Sequence, residues 1–85
     1  MGAAPLTLYY RNGCHLCEEL ASVLYRGWPE QAEMIEWRDV DSSADWRKRY
    51  GARVPVLMRG EHLICELRAD PDGLADYFGK PVNPL

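Results

Sequence analysis

Leu6-Thr7-Leu8-Tyr9-Tyr10 is a short apolar and aromatic run, closed by Arg11-Asn12-Gly13. Its length, its β-favouring residues and the turn that ends it predict a buried strand. Beyond the turn the spacing changes. Leu16, Leu20, Val23 and Leu24 recur at helical intervals, with Cys17 and Ala21 on an adjoining stripe, the pattern of an amphipathic helix. Glu18 and Glu19 in its first turns complement the helix dipole. The pattern fades around Tyr25 to Gly27, and Pro29 stands beyond it as a stop.

Residues 34–40 alternate and predict a second strand. Asp41-Ser42-Ser43 supplies N-cap candidates, with Asp45 three positions after Ser42 resembling a capping box, for a short helix through Tyr50 with Gly51 as its stop. Val54-Pro55-Val56-Leu57-Met58 reads as a third strand and residues 61–66 as a fourth, joined through Arg59-Gly60. Asp70 followed by Pro71 is a strong helix start, N-cap then proline at the first helical position. Leu74, Ala75 and Phe78 face inward from that helix, Gly79 ends it, and residues 80–85 read as a loose tail. The order is β-α-β-α-β-β-α. It predicts an α/β domain: a four-stranded mixed sheet with a right-handed parallel first crossover, a closing hairpin, and three helices, two on one face and one on the other.

The chemistry concentrates at Cys14-His15-Leu16-Cys17, where the first strand hands over to the first helix. Two thiols three residues apart at a helix start can close a disulfide within one turn. The first also faces free backbone N–H groups and the positive end of the dipole, which favour its thiolate. A pKa below the free value of about 8.5 is expected for Cys14. Two structural thiols, or two ligands of a metal site, are the other readings of the spacing. A closed zinc site wants four ligands, and only His15, Cys65 and His62 remain to complete a set.

Composition narrows the field. Eighty-five residues allow one domain, and the formal charge of −3 argues against a nucleic-acid footprint. No apolar run approaches the roughly 18–20 residues a membrane span requires. Met1-Gly2-Ala3-Ala4-Pro5 lacks the charged and apolar regions of a secretory leader. Three cysteines, two of them close-spaced, do not make a disulfide framework. A cytoplasmic, monomeric protein without a prosthetic cofactor is the expectation.

With C-x-x-C opening the first helix and Val54-Pro55 opening the third strand some 40 residues later, the chain resembles the thioredoxin fold, and in particular a small glutaredoxin-like protein, over nearly its whole length. The resemblance implies a cis Val54–Pro55 bond beside the dithiol, with Val54 pairing backbone to backbone with a bound substrate. It places Arg11 where glutaredoxins hold a basic residue for the glutathione carboxylate, and makes glutathione a possible electron donor. Two departures stand out: His15-Leu16 replaces the Pro-Tyr of classical glutaredoxins, and Leu67-Arg68-Ala69-Asp70 replaces a Gly-Gly followed by an acid.

The function expected on this basis is thiol–disulfide exchange with protein or small-molecule disulfides. Cys14 is the nucleophile and Cys17 resolves the mixed disulfide; Arg11, His15 and Arg53 contribute positive charge, and Glu18 is a candidate proton acceptor. The competing class is a binding module of the same fold or a two-chain metal or cluster carrier. Cys65 reads as a buried small hydrophobe, and Trp28, Trp37 and Trp46 as core or core-rim residues.

Overall fold

The computed structural model describes residues 4–85; the reading of a missing leader rests partly on residues 1–3 and lies outside them. Strand β1 (Leu6–Tyr10) leads into helix α1 (His15–Gly27), a short helix α2 (Pro29–Glu33) and strand β2 (Glu36–Asp39). A 3-10 turn (Val40–Ser42) and helix α3 (Ala44–Tyr50) follow, then strands β3 (Val56–Arg59) and β4 (His62–Glu66) and helix α4 (Pro71–Phe78). The strands form one mixed sheet in the order β2-β1-β3-β4. β1 runs parallel to β2 and antiparallel to β3, and β3 pairs antiparallel with β4 through an irregularity at Leu57/Met58.

The apolar positions of each element decide which face it covers. Leu20 and Leu24 of α1, Leu74 of α4 and Trp28 join Leu6, Leu8, Leu57 and Cys65 of the sheet in one buried cluster, with Ala32 of α2. On the opposite face, Trp46 and Tyr50 of α3 pack over Tyr9, Val40 and Val56. Tyr9 stacks on Tyr50 with ring centroids 4.0 Å apart. The expected fold is therefore present, with one helix more than the pattern predicted. Pro29 does not simply end α1; it occupies the first position of α2, where its missing N–H has no partner to lose.

Other differences are local. Of the N-cap candidates 41–43, Ser43 caps α3, its hydroxyl accepting from Trp46 N–H at 3.2 Å, so the box does not start at Ser42. The Asp39 carboxylate instead caps the preceding 3-10 turn at Asp41 N–H. β2 is shorter than the alternation suggested, because Met34 and Ile35 serve as the exit from α2. Leu16, in the first turn of α1, is 41% exposed rather than buried; the inward stripe starts at Cys17 and runs through Leu20 and Leu24. Residues 80–85 lie back on the end of α1: Val82 N–H donates to Gly27 O at 2.8 Å, and Asn83 Nδ2 donates to Arg26 O at 3.0 Å.

Asp70 caps α4 as its sequence position implies, its Oδ1 accepting from Gly73 N–H at 3.2 Å. Asp70→Ala is expected to cost about 1 kcal/mol of stability, read as a lower urea midpoint at unchanged slope. An unchanged midpoint would mean that packing of Leu74, not the cap, sets where this helix starts.

Candidate active site

The turn between β1 and α1 builds the site. Gly13 has φ +75°, in the left-handed region that side chains avoid, and reverses the chain so that Cys14 enters the helix from outside. Cys14 is the N-cap of α1. Its backbone is extended, and its Sγ accepts from Cys17 N–H at 3.1 Å. The sulfurs of Cys14 and Cys17 meet as a disulfide, with Cα atoms 5.2 Å apart. The two positions are unequal: Cys14 is partly exposed, while Cys17, one turn further in, is only 4% exposed.

The β1–β3 register brings a second segment to the same end of the sheet. Tyr9 lies opposite Val56, so the residue before Val56 faces the end of β1. That residue is Pro55, and the Val54–Pro55 peptide bond is cis. Leu67, just past β4, has φ +70°, and its N–H donates to the carbonyls of both Arg53 (3.2 Å) and Pro55 (2.9 Å). A left-handed leucine costs roughly 1–2 kcal/mol, so this conformation is held by its surroundings. Those bonds straddle Val54, whose own N–H and C=O make no backbone hydrogen bond among the described residues.

The three basic residues marked in the sequence are each matched by a carboxylate. Arg11 grips Asp41, with Nε–Oδ2 at 2.9 Å and Nη2–Oδ1 at 3.3 Å, and also donates to Gly51 O at 3.1 Å. Arg53 donates to Glu66 at 2.7 Å and lies over the Tyr50 ring. His15 is 82% exposed at its side chain and sits 3.1 Å from Glu19, one turn along the helix. Asp41 lies 30 positions from Arg11 and Glu66 lies 13 from Arg53, which is why residue spacing did not reveal them, whereas Glu19 stands at the ordinary helical spacing of four from His15.

The Arg11 hydrogen bond, followed by the charges of Arg11 and Arg47, holds the Asp41 carboxyl below its usual range. A carboxyl whose folded value is depressed stabilises the fold above its unfolded pKa and loses that contribution as pH falls through the folded value. In Arg11→Met, Asp41 is expected to titrate at higher pH, closer to the ordinary value of about 3.9, in a carboxyl NMR titration. No upward movement would mean that the close contact in this structure is not kept in solution.

A groove of about 170 Å³ opens on the β2 side of the dithiol, lined among others by Tyr10, Arg11, Cys14, Cys17, Glu18 and Trp37. Trp37 and Tyr10 meet edge to face at 5.8 Å. The sequence placed Glu18 beside Cys17, but gave no sign that Trp37 belongs to the same wall. That follows only from the parallel pairing of β1 with β2, which sets Tyr10 beside Asp39 and Leu8 beside Trp37. Cys65 stands apart: it is buried, its thiol donates to Arg68 O at 2.9 Å, and burial pushes its pKa up. Among the described residues, no three His, Cys, Asp or Glu side chains group in a way that could hold a metal ion.

A four-stranded mixed sheet flanked by helices, with a close cysteine pair capping the first helix, defines a protein of thioredoxin-like fold. Residues 5–79 match the model of the Glutaredoxin-like domain (DUF836), and the chain belongs to that family. Protein XcR50 from X. campestris, solved by X-ray diffraction, is 30% identical and superposes with a TM-score of 0.70 over 86% of this chain and 93% of its own. Protein Ne2328 from Nitrosomonas europaea, solved by solution NMR, is 30% identical with a TM-score of 0.62, over 91% of this chain and 93% of its own. No curated protein matches the sequence. No helix of the described residues is long and apolar enough to cross a membrane.

Proposed function

We propose that the protein is a thiol–disulfide oxidoreductase in which Cys14 and Cys17 cycle between dithiol and disulfide. The observation that carries this reading is the asymmetry of the pair. Cys14 is reachable from solvent and its sulfur receives the Cys17 N–H at the helix end, an arrangement that favours thiolate. Cys17 is enclosed and reaches only Cys14.

The reduced Cys14 thiolate attacks one sulfur of a substrate disulfide, forming a mixed disulfide and releasing one thiolate. Cys17, its proton passed to solvent or to the departing thiolate, then attacks the Cys14 sulfur. The second substrate thiolate leaves, and two electrons have moved from the protein to the substrate. The free backbone groups of Val54 offer a main-chain partner to a peptide substrate at that point. External thiols restore the dithiol by the reverse sequence.

The test is a redox titration of the pure protein in glutathione buffers, followed by intact mass. Reversible loss of two hydrogens, absent in Cys14→Ser, is the expected result. A chain that stays reduced throughout, or gains only irreversible adducts, would overturn the proposal.

A further inference from the structure

We infer that this dithiol selects its substrates by charge, favouring disulfides that carry a cationic group next to the sulfur, with that group held in the groove between α1 and β2. The inference rests on the exchange reaction proposed above and names the substrate class for it. Both cysteines line the groove, so a substituent on an attacked disulfide can enter it without leaving the reaction centre. Its volume of about 170 Å³ is many times the roughly 10–15 Å³ that holds one water, and accommodates a short aminoalkyl chain.

The charge argument comes from what is already matched. Arg11, the basic residue on the groove wall, is bonded twice to Asp41, and Arg53 and His15 each face a carboxylate. The partial positive charge of the helix end is met by the Cys14 sulfur. Glu18 is the acid on the same wall, exposed, and it makes no ion pair or side-chain hydrogen bond among the described residues. Across from it Trp37 is 40% exposed, and an indole surface attracts cations through its ring quadrupole. An ammonium group placed there finds an uncompensated carboxylate and an aromatic surface. A carboxylate finds Glu18 and no free cation among the residues named.

Three small disulfides of similar size separate the possibilities: cystamine (cationic), bis(hydroxyethyl) disulfide (neutral) and dithiodipropionate (anionic). Their reduction by the reduced protein is timed at neutral pH and low salt. Each rate is divided by that for dithiothreitol with the same compound, which removes differences in leaving-thiol acidity. The normalised rates should fall in the order cationic, neutral, anionic, spanning about tenfold, as a single charge at contact range in a wet groove provides. The span should collapse near molar salt, where the screening length is about 3 Å.

Glu18→Gln should narrow the span to about threefold or less, while Glu19→Gln, a neighbouring acid already facing His15, should not. Equal normalised rates in the parent protein would overturn the charge selection. So would a Glu18→Gln protein that loses rate equally with all three compounds and keeps the span, which is the signature of a proton acceptor. Failure to reduce even the neutral compound would instead overturn the exchange reaction itself.

Discussion

Cys14→Ser is expected to abolish disulfide exchange, and Cys17→Ser to accumulate a stable mixed disulfide with the first substrate it meets. The two outcomes differ because the residues differ in access, and because the helix cap favours the Cys14 thiolate. Cys14 is partly exposed at the helix cap, and Cys17 is 4% exposed one turn further in. With Cys14 gone, an incoming disulfide meets no reachable thiolate at this site. Cys65 offers no substitute, since burial both shields its thiol and pushes its pKa up. With Cys17 gone, the first attack proceeds and nothing within the chain resolves it. Intact mass after brief exposure to bis(hydroxyethyl) disulfide reads both results, as no adduct for the first variant and one adduct on Cys14 for the second. Identical behaviour of the two variants would remove the assignment of roles.

The largest effect on stability is expected at Trp28. It is 3% exposed, belongs to the main buried cluster, and packs on Phe78 with ring centroids 5.7 Å apart. Its indole N–H donates to Gly79 O at 2.8 Å, and its backbone is at once the C-cap of α1 and the N-cap of α2. One side chain thus ties both of those helices to the end of α4. Trp28→Ala removes a large buried ring and leaves a cavity that two helix ends cannot easily close, at a cost of about 4 kcal/mol. Against the roughly 5–15 kcal/mol that holds a small domain folded, this is a large share. Thermal melting should fall by about 20 °C. Trp28→Phe keeps most of the volume and loses the bond to Gly79, for about 1–2 kcal/mol. Equal melting temperatures for the two variants would show that the hydrogen bond, not the packed ring, carries the site.

Much of this was legible in the chain because it is local. A five-residue apolar run, a helical stripe and Asp70-Pro71 each report on neighbours a few positions away, and the structure places β1, α1 and α4 accordingly. The dithiol was legible for the same reason, as both cysteines lie within one turn. What escaped depends on residues far apart in sequence. Asp41 meets Arg11 across 30 positions, and no spacing rule links them. Trp37 reaches the dithiol groove only through strand pairing. Helix α2 escaped because a proline after a fading helical stripe signals a stop, while the same residue at the first helical position opens the next helix. Leu67 is the opposite case: its backbone adopts a glycine-like conformation that the residue type conceals.

The folded-back segment at residues 80–85 has a practical consequence. It is fastened to the end of α1 by Val82 and Asn83, while the dithiol caps the beginning of the same helix. Thirteen helical residues separate them, about 20 Å at the usual rise per residue. A fluorophore, electrode tether or affinity handle joined after Leu85 therefore emerges at the far end of the helix and leaves the sulfurs open to solution. The molecule can be immobilised by that end with its reactive face turned outward.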